Sequence, residues 1–245
     1  MSTGADPVEK AERRRPHFEY ETALRTAGTA RLIAGVDEAG RGPLAGPVVA
    51  AAVILPEGFA HSQLDDSKKL TPKRRDSIYR ELTANEAVIW AYAVIESDEI
   101  DRTNILKAAN EAMRRAVLAL VQKPDHVLVD GLPIYPFPLP YTAIVEGDAK
   151  SLSIAAASVI AKVTRDRIMQ ELDRQYPAYG FAQHKGYATS NHLAILARHG
   201  PCPIHRFTFR PVGQPLLPVL ASVGLASAAA AAATLAAAAH GLVAS

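Results

Sequence analysis

Apolar residues in this chain gather in short, largely β-branched runs, each closed by an acid or a turn residue. Arg31–Val36 and Pro47–Leu55, the latter carrying Val48, Val49, Val53 and Ile54, read as strands joined through a Gly/Pro-rich turn. Ala50-Ala51-Ala52 leaves so little bulk in the second run that another element is expected to pack closely on it. Ala87–Ile95, His126–Gly131 and Tyr141–Val145 bring the strands to five. Between them the period changes. Ile105, Leu106, Ala109, Met113, Ala116, Val117 and Leu120 fall on one face of a helix over Asn104–Val121. Thr71-Pro72 opens an earlier helix, with a hydroxyl cap and a proline at the first helical position. The run from Lys150 through Ser151–Lys162 predicts a long helix whose small residues suit tight packing on a sheet, and Ser190–Arg198 predicts another. Leu132–Pro140 holds four prolines and is expected to be irregular. The pattern predicts an α/β fold: a mixed five-stranded sheet flanked by helices (about 31–175) with a helical C-terminal part (about 176–212).

The two ends depart from this pattern. Residues 1–30 have no apolar secretory core, only the basic segment Ala11–Pro16, and are expected to form a flexible arm. Its Arg13-Arg14-Arg15 run reads as a solvated tail or as a lure for nucleic acid. From Pro211 to Ser245 there is no charged side chain, and 226–239 is almost all alanine. That run is long enough to span a bilayer. Alanine favours insertion only weakly, however, prolines interrupt the start, and no anchor residues flank it, so 213–245 is expected to be a low-complexity tail. Over the whole chain the composition is that of a soluble globular protein, 49% hydrophobic and 21% charged. A net charge of +2 neither demands nor excludes a polyanionic partner. A lone cysteine, Cys202, excludes an intramolecular disulfide and fits a reducing, cytoplasmic setting.

The candidate chemistry sits where strands end. Val36 leads into Asp37-Glu38, Val129 into Asp130-Gly131, and Val145 into Glu146-Gly147-Asp148. In an open α/β sheet, ligands collect where strand ends meet. Carboxylates drawn together repel unless a cation neutralises them, and a hard-oxygen cluster suits Mg²⁺ or Mn²⁺ rather than zinc. The chemistry that best matches such a cage is in-line displacement at phosphorus with two metal ions. Arg41, Lys68, Lys69, Lys150, Ser151, Ser153 and Lys185 are candidate phosphate contacts, Lys150 and Ser151 because they open a helix. His184, His192, His199 and His205 are scattered along the chain and read as surface or substrate-proximal side chains, not as ligands.

Gly35–Pro47, Leu64–Leu70, Val129-Asp130-Gly131, Gly147–Lys162 and His184-Lys185-Gly186-Tyr187 resemble, in order, the signature blocks of the type 2 ribonuclease H family, bacterial ribonuclease HII. The resemblance spans residues 31–212. It implies an RNase H-like fold and Mg²⁺- or Mn²⁺-dependent hydrolysis of the RNA strand of RNA–DNA hybrids. It also implies nicking 5′ to ribonucleotides embedded in DNA, leaving 3′-OH and 5′-phosphate ends. It assigns Asp37, Glu38, Asp130 and Asp148 as the catalytic and metal-holding acids, the first three being the usual ligands. Gly40-Arg41-Gly42 matches the turn that reads the ribonucleotide 2′-OH, and Tyr187 matches the platform for the deoxyribose after the RNA–DNA junction. Lys68, Ser151 and Ser153 follow as phosphate contacts. The type carrying an extra N-terminal domain is set aside because only 34 residues precede Gly35. A cytoplasmic monomer without a membrane partner is expected, and the sequence is silent on a sliding clamp. Two rivals remain: another metal-dependent nuclease or phosphatase on the same fold, and a nucleic-acid-binding protein that has lost catalysis. The Gly40-Arg41-Gly42/Tyr187 pair argues against the first and the four intact acids against the second.

Overall fold

The computed structural model describes residues 15–65, 67–68 and 70–213, which belong to one compact unit closing at Gly213. Lys69, Arg13, Arg14 and the Ala-rich tail, each singled out above, lie outside the described residues.

Five strands form one mixed sheet: β1 (Ile33–Ala39), β2 (Val48–Ile54), β3 (Ile89–Ile95), β4 (His126–Asp130) and β5 (Tyr141–Ile144), in the order β3-β2-β1-β4-β5. β1, β2 and β3 pair antiparallel, whereas β1, β4 and β5 pair parallel. The helices are α1 (Glu19–Thr26), α2 (Pro72–Ala84), α3 (Ser97–Arg102), α4 (Ile105–Leu118), α5 (Leu152–Gln175), α6 (Phe181–His184) and α7 (Ser190–His199). Their starts are capped as their residue types dictate. Thr71 accepts from Arg74 N, Asn104 from Lys107 N, Ser151 from Ile154 N and Thr189 from His192 N.

Strand alternation sorts β2 between two cores. Val48, Ala50, Ala52 and Ile54 pack with Ala108, Ala112, Met113 and Ala116 of α4 on one face. Ala51 and Val53 pack with Ile78 and Leu82 of α2 and Val159 and Ile160 of α5 on the other. The triple alanine is therefore covered on both sides, as its small volume requires. α5 lies closer still to β1. A Cβ on Gly35 would stand 2.2 Å from Ser153 C and 2.3 Å from Ile154 N, so only hydrogen fits between strand and helix there.

Two expectations are corrected. Residues 1–30 are not wholly a flexible arm, because Glu19–Thr26 forms α1. Its Glu21 is fully buried and accepts from Ser151 Oγ at 2.7 Å and Ser153 N at 3.0 Å, placing a carboxylate at the N-terminus of α5. Nor does β1 end before its acids. Asp37 and Glu38 lie inside the strand opposite Ala51 and Ala50, because pairing with β2 continues after pairing with β4 has stopped at Val36.

Candidate active site

The parallel register of β1, β4 and β5 builds the site. Val36 pairs with Val129, so the next residues, Asp37 and Asp130, emerge side by side. Asp130 pairs with Ile144 of β5, and the chain beyond β5 folds back over it. Gly147 N–H donates to Asp130 Oδ1 at 2.7 Å, and Asp148 N–H lies 3.4 Å from the same oxygen. Asp37 has the strand parity of Gly35 and faces α5, where Ser158 hydrogen-bonds its carboxyl. Ser158 is fixed in turn by Ser67 at 2.8 Å.

One oxygen from each of Asp37, Glu38 and Asp130 lies within 4.8 Å of the others. Burial first, then the charges of Glu38 and Asp130, hold the Asp37 carboxyl well above its ordinary range against the opposing Ser158 hydrogen bond. Burial and the neighbouring Asp148 raise Asp130 as well. Glu38 Oε1 accepts from Arg41 Nη1 at 3.1 Å, and the buried Glu38 Oε2 has no partner among the described residues. A buried orphan oxygen, beside the Asp37 and Asp130 carboxyls that resist ionisation without a cation, fits a hard divalent ion. Asp148 stands beside this trio, buried and paired with Lys68 Nζ at 3.1 Å.

The residues expected to meet nucleic acid divide into two groups. Gly40-Arg41-Gly42 follows β1 directly, and a Cβ on Gly42 would lie 3.8 Å from Tyr187 Cε1, so turn and tyrosine border the same space. Tyr187 is 43% exposed and has Lys162 Nζ 5.9 Å from its ring centre. With Lys162, Lys185, Arg75 and Arg167 it lines a groove of about 570 Å³. By contrast Ser151 and Ser153 are buried, and the helix N-terminus they open is filled by Glu21, so neither faces an incoming phosphate. Lys150 Nζ and Lys185 Nζ donate to Val145 O at 2.7 Å and Ala182 O at 2.6 Å.

The histidines are the clearest correction. His184, His192 and His205 are buried and in contact, not scattered over the surface. Tyr187 O accepts from His192 Nδ1 at 2.9 Å, so His192 Nε2 accepts from His205 Nε2 at 3.1 Å. His205 Nδ1 then accepts from Cys202 N at 3.0 Å. His184 Nδ1 accepts from Gly186 N at 3.2 Å. The imidazoles are thus a hydrogen-bonded scaffold under the Tyr187 loop. Nothing in their spacing announces this, since only the return of the chain beside Ala45 brings His205 to the others. Ser158, Arg165 and Arg206 also escaped the sequence reading. Ser158 sits seven residues after Ser151 in a run of alanines, while the two arginines look like solvated charges in helix and loop.

Against known proteins, the family model described as Ribonuclease HII matches residues 34–212. A Ribonuclease HII of Geobacter sulfurreducens is 56% identical over 199 residues, covering 81% of this chain and 91% of that relative. The solved ribonuclease H2 of Pyrococcus horikoshii OT3 is similar with a TM-score of 0.63 at 28% identity, covering 76% of this chain and 97% of that one. The RNase HII of a PCNA:RNase HII complex from Archaeoglobus fulgidus gives 0.62 at 25% identity, covering 74% and 96%.

Proposed function

The chain belongs to the ribonuclease HII family, a type 2 ribonuclease H acting on RNA–DNA hybrids, and from that premise we propose how its own residues carry the reaction. Asp37, Glu38, Asp130 and Asp148 form the catalytic centre, with Asp37, Glu38 and Asp130 as the principal metal ligands. The observation that carries this reading is the trio of oxygens within 4.8 Å, made by the Val36/Val129 register, with its buried, unpartnered Glu38 Oε2. Two divalent ions, Mg²⁺ or Mn²⁺, would supply activation of the attacking water and charge neutralisation at the scissile phosphate.

The protein's own groups orient and select. Lys68 holds Asp148 beside the trio. Ser158 and Ser67 hold Asp37. Gly40-Arg41-Gly42 reads the 2′-OH, the one group that separates a ribonucleotide from its DNA neighbours. Glycine lets backbone donors approach the sugar without a Cβ in the way. Tyr187, across the same space, supports the next sugar, and Lys162 and Lys185 in its groove meet backbone phosphates. The product is a nick 5′ to the ribonucleotide with 3′-OH and 5′-phosphate ends. The enzyme acts in the cytoplasm as a monomer. No described helix is long and apolar enough to cross a membrane.

The test is a labelled DNA duplex with one embedded ribonucleotide beside an all-DNA control, with Mg²⁺, Mn²⁺ or EDTA. A metal-dependent nick 5′ to the ribonucleotide with the control intact is expected. Cleavage of both duplexes would replace this reading with a nuclease blind to the 2′-OH. Cleavage of neither would replace it with a binding protein.

A further inference from the structure

Arg165 of α5 and Arg206 beyond α7 are the two largest fully buried side chains among the described residues, and neither forms an ion pair there. Both are spent on backbone carbonyls of the loop after β1. Arg206 donates from Nη2 to Gly40 O at 2.6 Å, from Nη1 to Arg41 O at 2.9 Å, and from Nε to Gly46 O at 3.0 Å. Arg165 donates from Nε to Pro47 O at 2.8 Å, from Nη2 to Ala45 O at 3.1 Å, and from Nη1 to Lys185 O at 3.1 Å. The last bond reaches the loop that carries Tyr187. A Cβ on Gly40 would stand 2.1 Å from Arg165 Nε, so that glycine is required by the guanidinium behind it.

A buried guanidinium without a carboxylate is expensive, and a fold keeps two only for a geometry that other side chains cannot supply. In a trans peptide the C=O of one residue and the N–H of the next point in opposite directions. Drawing Gly40 O and Arg41 O inward therefore turns Arg41 N–H and Gly42 N–H outward. Among the described residues those two N–H groups find no acceptor in the protein, whereas Leu44 N and Gly46 N are bonded to Gly186 O and Ile204 O. Burial lowers Arg165 to about 10 and, with the neighbouring Arg165 charge, Arg206 to about 9, so both remain charged at neutral pH.

Resting on the function proposed above, we infer that Arg165 and Arg206 are positioning residues for ribonucleotide selection. They aim the Arg41 and Gly42 amides at the 2′-OH and the adjacent phosphate, and they set the Tyr187 loop at a fixed distance from that turn. Their two positive charges, unmatched by any direct carboxylate contact, lie behind a turn that meets an anion. Lysine keeps the charge but cannot span three carbonyls with a rigid fork.

The test is steady-state kinetics on Arg165→Lys and Arg206→Lys, with an all-DNA duplex as competitive inhibitor and Mn²⁺ affinity measured by calorimetry. Each variant is expected to lose about ten- to a hundredfold in kcat/KM on the single-ribonucleotide duplex, the scale of lost charged hydrogen bonds. The inhibition constant of the all-DNA duplex should move by much less than kcat/KM, because that duplex lacks the 2′-OH and keeps its other phosphate contacts. The Mn²⁺ affinity should move by less than about twofold, because the acid trio does not use the amides. Equal losses in all three readouts, or no loss, would overturn the assignment. A wild-type protein that fails to cut the ribonucleotide duplex would instead overturn the function it rests on. Should neither variant fold, amide exchange in the wild-type protein decides the matter: Arg41 and Gly42 should exchange faster than Leu44 and Gly46, and protection of the first pair would overturn the inference.

Discussion

Gly35→Ala tests whether the acid site depends on the close approach of α5 to β1. The added Cβ would meet Ser153 C at 2.2 Å, Ile154 N at 2.3 Å and Ser153 O at 2.5 Å, all of them backbone atoms. Those distances fall about 1 Å short of the 3.4 Å at which ordinary contact begins, and no rotamer change can relieve them. Either α5 retreats or β1 bends. Overpacking of this kind costs ~1–3 kcal/mol or more, and for a chain of this size each kcal/mol lowers Tm by ~2–4 °C, so a drop of about 5–10 °C is expected. The functional loss should be larger. Ser158, which bonds Asp37, rides on the same helix, and an ångström-scale misplacement of reacting groups costs on the order of a hundredfold in rate. Thermal unfolding by circular dichroism and kcat/KM on the ribonucleotide-containing duplex would be measured together. Gly58→Ala serves as control, because a Cβ there meets nothing within 4 Å and only its positive φ is strained. A Gly35→Ala protein with wild-type Tm and wild-type kcat/KM would refute the argument that this glycine sets the spacing.

Three further outcomes follow from the same geometry. Because burial and neighbouring acids raise Asp37 and Asp130, binding of Mn²⁺ should expel protons and tighten as pH rises; calorimetric enthalpies at pH 6 that do not vary with the buffer's ionisation enthalpy would contradict this. His205 is pushed down to about 4 by burial and by His192, whereas an unfolded histidine takes its proton near 6.5. The unfolded state therefore binds more protons in that window, and stability is lost as pH falls from about 6.5 to about 4, by on the order of 3 kcal/mol. Asp37 and Asp130 act with the opposite sign, so the comparison is with His205→Gln, which should flatten the slope; an unchanged slope would discard the histidine's part in it. Glu21→Ala strips the partner from buried Ser151 Oγ and Ser153 N–H and should cost about 2–3 kcal/mol, with Glu21→Gln milder; a Tm within error of wild type would mean water replaces the carboxylate.

Much of this protein was legible one residue at a time. The strands over 47–55 and 126–131, the helix over 104–121 and the cap at Thr71 follow from local period and capping chemistry, which need no tertiary partner. So does the idea of a carboxylate centre, since three apolar strands run into acids within two residues. The Gly40-Arg41-Gly42 turn and Tyr187 stood out by motif, although 145 residues separate Gly42 from the ring it faces.

What only the fold decided is which polar groups are spent inside and which are offered outside. Ser151 and Ser153 looked open to phosphate, yet α1 delivers Glu21 to the same helix end. Three histidines read as surface or substrate-proximal, yet chain return brings them into contact beneath the Tyr187 loop. Arg165 and Arg206 drew no reading from the sequence, yet both are sealed behind the turn they hold. For the arginines and Glu21 the local sequence states a side chain's hydrogen-bonding capacity, but the partner lies 20 to more than 160 residues away for the former and 130 or more for the latter. Such pairings depend on sheet register and helix docking, and no periodicity records them.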